Sequence, residues 1–335
     1  MAALEQTFVT ENAEIGPTRS INSQPRILSL NITNKSPQLL GWIIRLLCFF
    51  WDYTESNFTT FVIPNSSFGL LSALASSVLS EGSRPSTKNL LWRAPLVVLF
   101  NWFNVLNFDL ANQRSPKSIQ EDRLNKPRRP IVAGKVTVDQ TRRAMLATIP
   151  AAWLFNYALG VWKQGASIQI LTWMYNDLEG GDEIIRDLII SIAYGMFNSA
   201  SLEIALGSGQ AGQISRRGII WTAIISMVIL TTMQVQDLKD QAGDRTRGRK
   251  TIVVFFGERA SRTSIALFVS FWSLVCPIFW STGPLGYLIV GTPGAWVAWR
   301  VTRKQGPAED CKTWKSWCLW TVALYFMPIA YLLGF

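Results

Sequence analysis

Two stretches of the chain bring carboxylates and cations together at a density that suits phosphate chemistry. "DLKDQAGDRTRGRK", Asp237 to Lys250, carries three carboxylates and five cationic side chains directly after a long apolar run. Helical spacing puts Asp237, Asp240 and Asp244 within about 60° of one another around an axis, so all three can face one point. Three anions converging with no cation between them would repel one another and shift their pKa values. Magnesium with a phosphate ligand resolves that conflict, because a hard dication shares octahedral oxygen coordination among carboxylates, water and phosphate. Nearby cations, Arg249 and Lys250 among them, would hold the remaining phosphate oxygens. The other stretch, "NQRSPKSIQEDRLNKPRRPIVAGK" from Asn112, repeats the arrangement: Glu121 and Asp122 are followed by Lys126 and Arg129. A plainer reading competes, in which acids and bases at a helix end form a solvated loop whose Arg and Lys only set topology.

Composition narrows the chemistry further. Of 335 residues, 49% are hydrophobic and 16% charged, an excess of apolar residues over an ordinary soluble domain. The net charge of +10 lies between apolar runs rather than along one amphipathic face, which is a membrane pattern and not a nucleic-acid one. The chain has no histidine, and its four cysteines show no CxxC spacing. Ser-His-Asp catalysis and histidine-ligated haem are excluded, and zinc is unsupported, so a metal here is a hard one held by oxygen.

The elements that must position these residues read as membrane helices. Residues 1–36 are polar and mixed in charge, a disordered cytosolic tail by composition. "LLGWIIRLLCFFW", Leu39 to Trp51, is an amphipathic segment suited to the interface. Apolar runs near the length of a bilayer then recur at about 57–79, 90–112, 139–161, 165–177, 184–206, 218–236, 262–281, 283–300 and 314–334. About nine transmembrane helices are expected, in an all-α bundle forming one domain over 37–335, because backbone groups in hydrocarbon must pair internally. Pro64, Pro150, Pro277, Pro293 and Pro328 should kink or break some of them. With the tail in the cytosol, the connections after helices two, six and eight carry the excess of Lys and Arg, as topology requires. Both chemically interesting stretches then lie on one face of the membrane. The connection after helix four, "NDLEGGDEIIRD", is acidic and adds nothing to that excess.

At these residues the chain resembles the UbiA superfamily of intramembrane prenyltransferases. The family's first signature region runs N-(D/Q)-x-x-D-x-x-x-D and then (N)-(K/R)-P-x-R-P; Asp122 matches the last Asp, and Asn125, Lys126, Pro127, Arg129 and Pro130 match the segment after it. In the second region Asp240 and Asp244 match the DxxxD pair, Asp237 an additional upstream Asp, and Lys250 the basic residue beyond the glycine. One departure matters. Asn112 and Gln113 resemble the start of the first region but lie two residues too far from Asp122, and Pro116 to Ser118 stand where the middle Asp belongs. Either Glu121 or Asp109 replaces the lost ligand, or one magnesium is held more weakly. Asn101, Asn104 and Asn112 share a face of helix two, a polar stripe that either faces the site or makes interhelical hydrogen bonds.

The resemblance implies a magnesium-dependent enzyme of the lipid bilayer that ionises an isoprenyl diphosphate, farnesyl or geranylgeranyl. Asp122, Asp240 and Asp244 would be catalytic; Asn112, Glu121 and Asp237 would join them around the metal; Lys126, Arg129, Arg249 and Lys250 would bind the diphosphate. The altered first region resembles the divergent fungal branch that includes membrane-bound terpene cyclases, so intramolecular cyclisation is expected, with transfer to an aromatic or lipid acceptor as the alternative. Trp102, Phe103, Trp153, Phe155, Trp173, Tyr194, Phe197 and Trp221 are candidates for shielding a carbocation, although most of the 15 tryptophans are expected in interfacial belts. A transporter would use midspan polar groups such as Asn198 and Glu203, but most carboxylates sit at helix ends. "GSGQAG", Gly207 to Gly212, follows no strand and reads as a loop rather than a nucleotide site. The expected compartment is the endoplasmic reticulum of a eukaryote, since no organellar presequence stands out.

Overall fold

The apolar runs become helices, though not always one helix to a run. The computed structural model describes residues 35–82, 85–207 and 213–335. The expected N-terminal tail up to residue 34 and most of the Gly207 to Gly212 loop lie outside them. In chain order the helices are α1 (Lys35–Asn57), α2 (Ile63–Leu74), α3 (Ser76–Leu79), α4 (Thr87–Gln113), α5 (Pro116–Asn125), α6 (Val138–Ala158), α7 (Trp162–Asn176) and α8 (Arg186–Leu206). They continue as α9 (Arg216–Thr232), α10 (Gln241–Arg247), α11 (Ile252–Phe256), α12 (Glu258–Trp280), α13 (Pro284–Arg303), α14 (Pro307–Tyr325) and α15 (Met327–Leu332). The one extended pairing among the described residues is an isolated bridge between Ser80 and Ile214.

All nine expected segments are helical, and four helices are long and apolar enough to cross a membrane by length and composition: Thr87–Gln113, Arg186–Leu206, Arg216–Gln236 and Glu258–Trp280. The breaks differ from expectation. A π-helical turn, Phe58–Val62, joins α1 to α2, so the first span is not a separate helix. Pro64 follows directly on the π-helical turn at the second position of α2, and Pro328 falls in the first turn of α15, where the missing N–H is tolerated. Pro150, Pro277 and Pro293 are carried inside α6, α12 and α13. The run Asp237 to Lys250 is not one helix: after a 3-10 turn, Met233–Gln236, the chain restarts at Asp240, which caps α10.

Within the unit Leu46–Phe335, α2 packs between α8 and α14, α8 also meets α7 and α9, and α12 packs on α13. The polar stripe on α4 stitches this bundle together. Asn101 Nδ2 donates to Ser66 Oγ and Ser201 Oγ at 3.2 and 2.8 Å, and Asn104 and Asn156 exchange amide hydrogen bonds at 3.1 and 3.0 Å. Of the two readings of the stripe, interhelical bonding is the one seen for Asn101 and Asn104. Five of the 15 tryptophans pack in the core. Trp221, Trp272, Trp280, Trp317 and Trp320 belong to the core of α9 and α12–α14 rather than to a belt. For three of them threonine and serine hydroxyls receive the buried indole N–H: Trp272 donates to Thr231, Trp317 to Thr232 and Trp320 to Ser273 at 2.9–3.0 Å.

Candidate active site

Two short helices at one end of the bundle carry the signature residues. Pro116 opens α5, where its missing N–H is tolerated, and the helix presents Glu121 and Asp122 before ending at Asn125. A Cβ on Gly243 of α10 would come within 2.2 Å of Asn125 Nδ2, so only glycine lets α10 lie this close to α5. The same Nδ2 donates to the Asp240 carbonyl at 3.0 Å and fixes the contact. Gly248 then takes a left-handed φ of 81°, which ends α10 and turns Arg249 back so that its N–H donates to the Asp244 carbonyl at 2.9 Å.

Charge pairing ties the two regions together. Nη1 of Arg249 donates to Glu121 Oε1 at 3.1 Å and Asp244 Oδ1 at 3.4 Å. Arg247 Nη1 donates to Glu121 Oε2 at 3.1 Å and to the Ser118 hydroxyl. Arg129 Nη1 donates to both oxygens of Asp122, at 3.0 and 2.8 Å, and to Asn112 Oδ1 at 3.3 Å. A third element completes the cluster, the acidic connection between α7 and α8. Arg186 grips Asp237 with two bonds and donates to the Tyr175 hydroxyl at 3.2 Å, and Asp182 accepts from Arg247 Nε at 2.6 Å. Sequence reasoning missed Arg186, Tyr175 and Asp182. The available signal was an arginine opening a span in a connection that parity puts on the same face as the two signature regions.

These groups surround one cavity of about 990 Å³, counting the space at its mouth. One part of its wall is ionic: Glu121, Lys126, Arg129, Arg186, Asp237, Asp240, Asp244 and Arg249, with Asn112 beside them. Most of the rest is apolar or aromatic, including Phe61, Phe108, Ile168, Tyr175, Ile189 and Phe197, with the polar Asn57, Thr172 and Gln236 among them. Among the expected site residues, Asp122 lies behind this wall under Arg129, and Lys250 lies outside it, 55% exposed with its ammonium 2.8 Å from Glu183. Asp109 is buried away from the wall and accepts from Asn57 Nδ2 at 2.6 Å. Of the aromatic candidates only Phe197 lines the cavity; Tyr194 packs on the lining Phe61 at 4.5 Å, while Trp153 and Trp173 face outward.

Electrostatics separate the two DxxxD carboxylates. Burial opposes the charge of Asp240, but Lys239 and then Lys126 outweigh it and hold the carboxyl below its usual range. Burial and then the charge of Asp237 push Asp244 up to about 7. Burial and the neighbouring Arg129 lower Lys126. Among the described residues no three acidic or thiol side chains converge as a ready-made cation cage. Asp244 Oδ2 is nevertheless buried without a hydrogen-bond partner on a residue that lines the cavity, beside Asp240. An oxygen-only donor pair with one orphaned oxygen fits a hard dication whose other ligands arrive with a bound oxyanion.

Comparison with known proteins finds relatives in sequence and in fold. The model of the UbiA prenyltransferase family matches residues 69–328. The chain is 29% identical over 236 residues to somaliensene A/B synthase of Streptomyces somaliensis, covering 68% of this chain and 76% of that protein. It is 26% identical over 294 residues to the diterpene cyclase eriG of Hericium erinaceus, covering 81% and 84%. Its fold is similar to that of a UbiA homologue from Archaeoglobus fulgidus bound to GPP and Mg2+, with a TM-score of 0.55 at 12% identity over 83% of this chain and 99% of that one.

Proposed function

The chain belongs to the UbiA prenyltransferase family, an integral membrane enzyme family, and on that premise we propose that it ionises an isoprenyl diphosphate and cyclises the resulting cation to a terpene. The observation that carries the proposal is the two-part cavity, ionic over one wall and mostly apolar over the rest. A diphosphate headgroup on a hydrocarbon tail is a ligand with the same division. Farnesyl and geranylgeranyl diphosphate are the substrates proposed.

Arg129, Arg186, Arg249 and Lys126 bind diphosphate oxygens, the guanidinium forks by paired donors and the lysine as a point charge. Asp240 and Asp244 would hold Mg2+, which would neutralise charge on the departing diphosphate when bound. As the allylic C–O bond breaks, its electron pair leaves with the diphosphate, and fixed cations stabilise that developing charge without reorganising. The carbon skeleton becomes cationic among Phe61, Phe108, Tyr175 and Phe197, whose ring faces attract a cation by roughly 0.5 to 2 kcal/mol each. The apolar wall excludes water, so the substrate's own double bonds attack, and loss of a proton from carbon to the released diphosphate ends the sequence.

The distribution of Lys and Arg among the connections supports placing the ionic end at the cytosolic face. That one relative is named a diterpene cyclase supports cyclisation, while another named a polyprenyl transferase keeps transfer as the alternative. Incubating membranes with Mg2+ and either diphosphate, with no acceptor added, tests this. Hydrocarbon products are expected; turnover that begins only when an aromatic or lipid acceptor is supplied would identify a transferase.

A further inference from the structure

The two signature regions differ in what their carboxylates have left to offer a metal. In the first, Arg129 covers both oxygens of Asp122, while Arg249 and Arg247 each take one oxygen of Glu121. Asp122 is 1% exposed and Glu121 7%, so water does not compete for these pairs. The position of the missing middle acid holds Ser118, whose hydroxyl also accepts from Arg247. Asp109, the other available acid, is bonded to Asn57 and lies off the cavity wall. In the second region Arg186 covers both oxygens of Asp237. Asp244 alone combines a cavity position with a buried, unpartnered oxygen, and Asp240 beside it is engaged at one oxygen by Lys239.

We propose that the protein binds its diphosphate with a single divalent cation, held by Asp240 and Asp244, and that the guanidinium groups of Arg129 and Arg249 serve at the first region where a second cation would otherwise sit. This rests on the reading of the cavity as an isoprenyl diphosphate site. Each oxygen of Asp122 and Glu121 already accepts from a buried guanidinium, and a metal ion binding there would have to sit against, or displace, a fixed like charge. Arginine suits the exchange because it stays charged at every working pH and its planar fork matches phosphate oxygens. The loss of the middle acid and the covering of the two neighbouring acids are then one change: the first region recognises phosphate directly.

The test is a count of bound Mn2+ on the purified full-length protein in detergent, with inorganic diphosphate as the ligand. Equilibrium dialysis gives the stoichiometry, and electron paramagnetic resonance distinguishes an isolated ion from a coupled pair. One ion per chain, with an uncoupled six-line spectrum, is expected. Glu121→Gln and Asp122→Asn should leave that count at one, while Asp244→Asn should weaken Mn2+ binding tenfold or more. Two ions, a coupled spectrum, or loss of the ion in a Glu121→Gln protein that still unfolds cooperatively would overturn the single-cation proposal and leave the diphosphate reading standing. No bound ion at all would overturn both.

Discussion

Arg186 and Asp237 stand 51 positions apart and meet as a two-pronged ion pair, Nη1 to Oδ2 at 2.5 Å and Nη2 to Oδ1 at 2.8 Å. The pair joins the start of α8 to the segment before α10, and both side chains are almost fully buried. Removing one partner of such a pair costs about 3–5 kcal/mol, because a buried charge is left alone. Arg186→Ala should therefore lower the unfolding temperature in detergent markedly. Arg186→Ala combined with Asp237→Asn should recover most of that stability but not turnover, since the diphosphate still lacks Arg186. Recovery of both would leave Arg186 with a structural role only.

Asp240→Ala and Asp244→Ala should each lower turnover by about 100-fold or more, since the charge leaving with diphosphate would lose its fixed counterion. Both proteins should still insert in membranes and unfold near the wild-type temperature, because neither carboxylate packs an apolar core. Full activity in either variant would remove the assignment.

The raised carboxyl of Asp244 predicts a pH dependence. In the folded protein it holds its proton up to about 7, whereas in the unfolded chain it would release it near 3.8. Between these values the folded state binds more protons than the unfolded one, so the metal-free protein loses stability as pH rises through the window. A dication binds only the ionised form and opposes that loss. The rise in unfolding temperature on adding Mg2+ should be small at pH 6, grow through pH 7 and level off above about pH 8. A flat profile would show that Asp244 is already ionised at pH 6 or does not meet the metal.

Arg249 and Lys250 are neighbours in sequence with different surroundings. Arg249 lines the cavity and joins Glu121 to Asp244, while Lys250 lies outside on Glu183. Arg249→Ala should raise the Michaelis constant at least about tenfold, the loss of one charge-assisted contact. Lys250→Ala should change it less than about twofold, as expected for an exposed ion pair. Steady-state kinetics with varied diphosphate separates them.

Phe61 and Phe197 pack edge to face at 4.9 Å on the cavity wall. Phe61→Leu and Phe197→Leu keep the wall apolar but remove a ring face worth roughly 0.5 to 2 kcal/mol to a nearby cation. Diphosphate release should persist while the mixture of hydrocarbons shifts, read by gas chromatography. An unchanged mixture in both variants would place the cation elsewhere.

Much of this protein was legible in its residues. The apolar runs set by bilayer thickness gave the helices, and the opposed charges of 112–135 and 237–250 identified regions that do share one cavity wall. The features that escaped depend on packing across the bundle. Arg186 looked like an ordinary charge in an acidic loop, because its meaning lies in Asp237, far along the chain. Lys250 matched a motif, yet the left-handed turn at Gly248 sends Arg249 inward and leaves Lys250 outside. The buried tryptophans of α14 read as belt residues by type alone, and only the fold brings Ser273 and Thr232 to receive their N–H groups.

The most direct measurement is release of inorganic diphosphate from geranylgeranyl or farnesyl diphosphate by the purified protein in detergent, with no acceptor. Release that requires Mg2+, stops on chelation and is lost in Asp244→Ala is the predicted result. No release from either substrate under any of these conditions, or release indifferent to chelation and to Asp244, would contradict the account.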